Sequence, residues 1–520
     1  MSLWARVRGS RRDSSRPSIE WAATQSAAGP RDEFQHLKDE TYLDYTGSAL
    51  YQRGQLREMF TQLEGNLFCN AHSDSSCSMR TEAEVTSVRR TIMDWFNCGD
   101  DYTVIFTAGT TASLKMVGET FPWSEHSLYG YSRHNHNSVL GMRELAMAKG
   151  SSFLAAEWDL QDPEYIQQFM PKESEEESSE EPVEQFNPEE TPAPLNDETE
   201  EAFHLFAFPA ECNFSGIKYP LDLVHALKRG TLGEHLLSRA VETSAMPPGY
   251  KNRTNTWRVC VDAAAYAPTN PLDLQAFPAD FVTMSFYKLF GIPTGLGALL
   301  VRKDVAPFMN KTFFGGGTVV AVSCDSSFCK LRPISNERFE DGTISFLDII
   351  GLSAGFNVFK SLGKQAITDH VWTLTRYLYL RVSALKHKNG RPLLEIYGNH
   401  EHGDPKRQGG ILSFNVLSPK GQYVPFKIVM EAAKASNLLL RAGAHCNPGA
   451  AFGYLTIEEE DVQTILQERE SCHAGDGMWE GKPLGSCRAS LGYPTTVTDV
   501  DSLTTFLKAT YTDRDMPKDM

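Results

Sequence analysis

Short apolar runs separated by longer mixed segments dominate this chain. Thr103–Thr107 (TVIFT) is one such run, and Ala108–Thr111 then opens a helical pattern through Val117. Arg258–Asp262 (RVCVD), Phe281–Ser285 (FVTMS) and Leu296–Arg302 (LGALLVR) are runs of the same kind. Without polar alternation, runs of this length read as strands buried on both faces, the habit of a parallel sheet covered by helices. Ala354–Leu362 and Ala366–Leu385 predict such helices. The expected fold is therefore α/β with a mainly parallel sheet. From about Lys364 the pattern changes. Ile411–Asn415 predicts a strand, Pro425–Ser436 a helix and Asn437–Arg441 another strand, as in a smaller α+β unit packed on the large one. The expected division is an N-terminal arm over 1–39, a large domain over 40–363 and a small C-terminal domain over 364–520 that takes in part of the N-terminal segment. No internal repeat is present.

Composition narrows the class. In 520 residues, 41% are hydrophobic, with 29 Phe, 18 Tyr and 8 Trp, enough for large cores and against a disordered or fibrous chain. Ten cysteines are ordinary usage, and nothing resembles a signal-peptide core, so the thiols are expected to stay reduced. A net charge of −16 and a pI near 5.4 argue against a nucleic-acid partner. No apolar run reaches the ~20 residues that span a bilayer, so no membrane partner is expected either. The expected location is cytoplasmic. Residues 171–202 hold twelve Glu and one Asp against one Lys, with five prolines, which leaves the rest of the chain nearly neutral. So much like charge with so little to bury predicts a disordered insertion, solvated rather than a docking tail. The first 21 residues carry five Arg and two acids. They partly fit a mitochondrial transit peptide, although an untethered basic arm is the simpler reading.

Candidate chemistry collects at strand ends. Lys288 follows the apolar run Phe281–Ser285 and precedes a Gly/Pro-rich loop. A partly desolvated ammonium there loses its proton readily and can form a Schiff base, although strands also end in ordinary lysines. Asp262, 26 residues earlier, ends another buried run. It either caps the next turn or pairs with a cation, such as the protonated ring nitrogen of pyridoxal phosphate (PLP). Thr107–Ala112 (TAGTTA) lies where a strand passes into a helix, so its small residues and hydroxyls suit a phosphate at a positive helix end. It matches neither the P-loop nor GxGxxG. A phosphate cradle, then an acid, then a lysine is the order found in fold-type I PLP enzymes.

Longer stretches carry a resemblance. They are Tyr42–Ala49 (YLDYTGSA), Phe106–Ala112, Asn135–Arg143, Asn213–Gly216, Val261–Ala265, Ser285–Gly295, Phe314–Thr318, Arg338–Thr343, Arg441–Gly449 (RAGAHCNPG) and Cys487–Tyr493. In this order, over roughly 40–510, the chain resembles the class V aminotransferase group. Within it the likeness is to the cysteine desulfurases, and most to the desulfurase-like N-terminal part of molybdenum cofactor sulfurases. The resemblance implies a PLP-dependent transferase of fold type I, with a large domain and a smaller α+β C-terminal domain. It implies that Lys288 carries PLP and moves the substrate α-proton, that Asp262 pairs with the pyridine nitrogen, and that His136 stacks on the ring. Thr110, Thr111 and Ser285 would bind the phosphate, with Thr318 reaching in from a second subunit of a homodimer. Asn213 would meet the ring's phenolic oxygen, and Arg488 would hold the substrate carboxylate. No metal is implied.

Cys446 would take sulfur from L-cysteine as a persulfide and release alanine. It lies in a Gly- and Pro-bounded loop, Gly443–Gly449, expected to be exposed and mobile, where Arg441 and His445 could favour the thiolate. Two departures from the general desulfurase pattern, Tyr287 before the lysine and Ala265 three residues after the acid, agree with the sulfurase branch. Those sulfurases continue into a second domain, whereas this sequence stops at Met520, so the sulfur acceptor stays open between the molybdenum cofactor and an acceptor protein. The alternatives are a C–S lyase or selenocysteine lyase on the same scaffold, which would not need Cys446, and a non-catalytic scaffold.

Overall fold

The computed structural model describes residues 30–71, 73–156, 158–171, 201–242, 253–468 and 475–514. Most of the expected arm (1–29) and of the acidic insertion (172–200) lies outside the described residues.

Seven strands form the large sheet: β1 (Tyr102–Thr107), β2 (Leu128–Ser132), β3 (Ser152–Ala156), β4 (Glu201–Pro209), β5 (Thr254–Asp262), β6 (Phe281–Ser285) and β7 (Gly297–Arg302). Their order is β3-β2-β4-β5-β6-β7-β1. Strands β2 to β6 run parallel, and β7 runs antiparallel to both its neighbours. The reversal follows from chain length. Only residues 286–296 separate β6 from β7, too few for the helical crossover that a parallel return requires. Alternate residues of one strand enter opposite cores: Phe206, Phe208, Val259 and Val261 on one face, Leu205, Ala207 and Cys260 on the other. That is why these runs show no polar alternation. No helix among the described residues is long and apolar enough to cross a membrane.

Helices cover both faces. On one lies α2 (Ser76–Trp95), with α1 (Arg53–Gly65) outside it packing its Met59 beside Gly351, while α3 (Thr110–Thr120) packs on the other through Leu114 and Val117. Helix α4 (Phe346–Leu362) seals the first face, its Phe356 and Phe359 meeting Trp95 and Phe290 at ring-centroid distances of 5.3–6.1 Å. It starts earlier than its apolar run suggests because Phe346, Ile349 and Ile350 continue the same packing.

A second sheet is formed by β8 (Leu394–Tyr397), β9 (Ile411–Val416), β10 (Arg441–Gly443) and β11 (Ser486–Ser490), in the order β8-β9-β11-β10 and antiparallel throughout. Helices α5 (Lys364–Ser383), α6 (Phe426–Ala435) and α8 (Val497–Tyr511) share one core with it, while α7 (Pro448–Leu455) packs in a separate cluster with Phe214. Leu43 from the N-terminal segment also enters the core of this sheet. The single strand expected over Asn437–Arg441 is two. Leu438–Leu439 pairs with Thr41–Tyr42, and the chain then turns to pair as β10 with β11, a change of partner that residue patterning does not reveal.

Candidate active site

The carboxyl ends of β4, β5 and β6 and the start of α3 surround a cavity of about 450 Å³. Thr110, Thr111, His136, Asn213, Asp262, Ser285 and Lys288 all line it. Parallel strands end on one edge of the sheet, so chemistry placed at strand ends converges there.

Gly109, with φ of +139°, precedes the first residue of α3, a backbone conformation that favours glycine. Ser285 at the end of β6 secures this turn: its Oγ accepts from Thr110 N at 2.8 Å and shares a hydrogen bond with Thr110 Oγ1 at 2.9 Å. Strand β7 comes so close that a Cβ on Gly297 would lie 2.5 Å from Gly109 Cα. Thr111 Oγ1 bonds Ser138 Oγ at 2.9 Å. Glycine caps α3 without a side chain, so the positive end of an 11-residue helix opens beside two hydroxyls. Backbone N–H groups and hydroxyls of this kind accommodate a phosphate.

Lys288 lies on the helical turn Phe286–Phe290 directly after β6. Burial holds its ammonium below the ordinary lysine range; Arg488 and Arg441 push the same way, while Asp262 and Asp44 oppose them. Among the described residues no hydrogen bond or ion pair engages its Nζ, which leaves the amine available to a carbonyl carbon. Asp262 is buried at the end of β5, its Oδ1 accepting from Ala264 N at 3.0 Å. His136 both caps and lines. Its Nδ1 accepts from Ser138 N at 3.1 Å, so the neutral ring carries its proton on Nε2. Burial keeps that ring neutral, with Lys288 and Arg441 reinforcing the effect and Asp262 opposing it.

Cys446 is exposed at the tip of the loop between β10 and α7. The expected mobility of this loop is not what its contacts describe. Asn137 N donates to Cys446 O at 2.8 Å, Asn213 Nδ2 to His445 O at 2.7 Å, and Asn447 Nδ2 to His134 O at 3.1 Å and Asn213 Oδ1 at 2.9 Å. His445 and Cys446 both take left-handed φ, +54° and +55°. Such a pair costs roughly 1–2 kcal/mol per residue and needs anchors like these. His445 itself is buried, its ring 5.4 Å from Phe214. Asn213 therefore joins the cavity to the cysteine loop, with the residue after His136 as a second link.

Like Cys446, two further expected site residues stand outside the cavity wall. Arg488, on β11, is 2% exposed; Nη2 donates to Asp44 Oδ1 at 2.8 Å and Nη1 to Asn213 O at 2.7 Å. Thr318 is buried in its own loop, where its hydroxyl donates to Gly315 O at 2.9 Å and accepts from Gly315 N at 3.1 Å.

Two acids near the site were assigned no role from sequence. Asp44, inside the YLDYTGSA stretch, is the partner of Arg488. Glu211, two residues beyond β4, lines the cavity, and the strand-end signal that marks Asp262 marks it too. Glu211 Oε2 accepts from Asn270 Nδ2 at 3.0 Å, and Asn270 Oδ1 accepts from Lys218 Nζ. Burial pushes this carboxyl from 4.5 up to about 7, against the opposing influence of Lys218 and Asn270. An unfolded chain ionises it first, so its contribution to stability is intact below pH 4.5 and is lost as pH rises to about 7. E211Q should remove that slope. Its melting temperature is expected to climb relative to wild type between pH 4.5 and 7 and then hold a constant offset; an offset independent of pH contradicts the assignment.

Comparison with known proteins places the chain in a family and supports the fold. The family model described as aminotransferase class-V matches residues 41–159 and 250–503. Molybdenum cofactor sulfurase of Solanum lycopersicum is 39% identical over 480 residues, covering 92% of this chain and 56% of that protein. Its Homo sapiens counterpart is 38% identical over 484 residues, covering 91% and 50%. The chain thus spans about half the length of the curated relatives it matches. Among solved structures, an apo cysteine desulfurase from Thermococcus onnurineus NA1 superposes with a TM-score of 0.65 at 19% identity, over 93% of this chain and 98% of that one. The cysteine desulfurase CsdA from Escherichia coli gives 0.61 at 19% identity, over 93% and 98%. At that identity the two structures speak for the fold. The chain belongs to the class V aminotransferase family.

Proposed function

We propose that this chain is a PLP-dependent cysteine desulfurase that takes sulfur from L-cysteine onto Cys446, releases alanine, and passes the sulfur to the molybdenum cofactor. The observation that carries this reading is one cavity wall holding Lys288, Asp262, His136 and the Gly109–Ser285 cradle, with the Cys446 loop bonded to Asn137 and Asn213 at its margin. The names of the relatives, all of them longer proteins, support the acceptor.

The residues fit the coenzyme on the chain's own chemistry. The first turn of α3 with Thr110, Thr111 and Ser285 would hold the phosphate, and Asp262 would supply the counter-charge for a protonated ring nitrogen. PLP, when bound, supplies the electron sink for charge developing at the substrate α-carbon. Lys288, held by burial toward its neutral form, would be the amine that holds the aldehyde, and its Nζ would be the base that receives the α-proton. His136, proton on Nε2, covers one side of the cavity. Cys446 Sγ, as thiolate, forms the S–S bond while the substrate C–S bond breaks; the carbon keeps the electron pair and takes a proton, and alanine leaves. The exposed tip position then offers the persulfide to an acceptor.

A homodimer also belongs to this reading. Phe313 (70% exposed), Phe328 (57%), Val320, Val322 and Ile334 stand together around the hairpin of Val319–Val322 and Cys329–Leu331. A cluster of this kind calls for a covering surface, and a second copy would bring Thr318 toward its neighbour's phosphate site. The test of function supplies L-cysteine and a reductant and measures products. Alanine and sulfide in equal amounts support the proposal; pyruvate in place of alanine replaces it with a C–S lyase.

A further inference from the structure

Arg441 on β10 and Arg488 on β11 are register partners in an antiparallel pair, so both side chains rise from one face of the small sheet. Like charges directly opposite one another destabilise a sheet unless a counter-ion intervenes. Asp44 is that counter-ion: its Oδ1 lies 2.8 Å from Arg488 Nη2 and its Oδ2 3.8 Å from Arg441 Nη1. The N-terminal segment is built to deliver it. Asp44 bridges in parallel to Ser490 beside β11, and Thr46 N donates to Ser490 Oγ at 2.9 Å. At Gly47 a Cβ would lie 2.4 Å from Asp44 Oδ2, so the carboxylate fits there only because that residue is glycine.

The group is one anion short. Two guanidinium ions face a single carboxylate. Arg488 is 2% exposed, Asp44 and Asn213 O hold its two terminal nitrogens, and its Nε has no hydrogen-bond partner among the described residues. A buried donor left unmade is costly, so this N–H marks a place for an acceptor. The Arg441 side chain, 47% exposed, is open to an incoming ligand. The cluster adjoins the cavity from behind its wall, since Arg488 Nη1 donates to the carbonyl of Asn213, which lines that cavity.

We propose that Arg441 is the second arm of a two-arginine clamp for the substrate's α-carboxylate, with Asp44 as the resident carboxylate that holds both guanidinium groups in place in the empty site. This rests on the desulfurase reading. A second carboxylate makes the cluster neutral and gives the orphaned Nε–H its acceptor, and planar guanidinium forks suit carboxylate geometry. Arg441 is a substrate-binding residue here and Asp44 a positioning residue.

The test compares L-cysteine with cysteamine, the same aminothiol without a carboxylate, in wild type and R441Q. R441Q should raise KM for L-cysteine about tenfold or more with kcat within about twofold, the signature of lost ground-state binding. The inhibition constant of cysteamine should stay within about twofold. In D44N, where two guanidinium ions lose their counter-ion, the substrate-free protein should melt lower than wild type, and L-alanine should recover more of the loss than it adds to wild type. Equal shifts for L-cysteine and cysteamine in R441Q, or a D44N protein that melts like wild type, overturn the clamp. A wild type that makes no alanine sinks the desulfurase reading instead. The clamp is then judged by the melting rise that L-alanine gives wild type and R441Q should lose; equal rises overturn it.

Discussion

K288A should lower alanine formation from L-cysteine by at least about 10²–10⁴-fold, the range attached to a single positioned acid–base group. The loss compounds two roles, since the same amine fixes the coenzyme and moves the proton. The variant is expected to fold. Phe286, Leu289 and Phe290 bury the turn that carries residue 288, and Lys288 Nζ makes no hydrogen bond or ion pair among the described residues. The coenzyme-free variant should therefore melt close to coenzyme-free wild type, and added methylamine should restore part of the rate by replacing the missing amine. Unchanged alanine output in K288A would remove the lysine from the chemistry.

C446A should abolish the protein-bound persulfide and lower alanine formation by about 10²-fold or more, as the loss of a nucleophile does. Here too the fold is spared for a structural reason. The loop is held by the carbonyls of His445 and Cys446 and by the Asn447 side chain, none of which the substitution touches. The left-handed backbone at 446 also costs cysteine and alanine about the same. Persulfide on Cys446, read by alkylation and peptide mass after a single turnover, is the direct measure. A C446A protein that still releases sulfide with pyruvate at the wild-type rate identifies a lyase for which the thiol is incidental.

Much of this arrangement was legible because two signals coincide. A strand that feeds a parallel sheet is apolar throughout and stops at a polar residue, so Asp262 and Ser285 stand out in sequence at the places where the sheet delivers them. Thr110 and Lys288 follow the same logic one step further along the chain. The order of the strands and the reversal of β7 emerged only in three dimensions, although the short 286–296 connection carries the reason. Local pattern also hid the small sheet's pairing, since Leu438–Leu439 and β10 adjoin in sequence and differ only in partner. The loop at Cys446 looked mobile because Gly and Pro bound it. What steadies it are distant side chains, Asn213 above all, and the backbone at Asn137. Asp44 went unassigned for the same reason: its partner Arg488 lies 444 residues away. Arg488 shows the limit most clearly, because its burial and its pairing with Asp44 depend on three segments meeting.

The central claim concerns one covalent bond, between the ε-nitrogen of Lys288 and the aldehyde of PLP. Borohydride reduction of the purified protein followed by peptide mapping tests it most directly. The account predicts a phosphopyridoxyl group on the peptide that carries Lys288 and on no other lysine; a coenzyme fixed elsewhere, or protein saturated with PLP that yields no modified peptide at all, would contradict it.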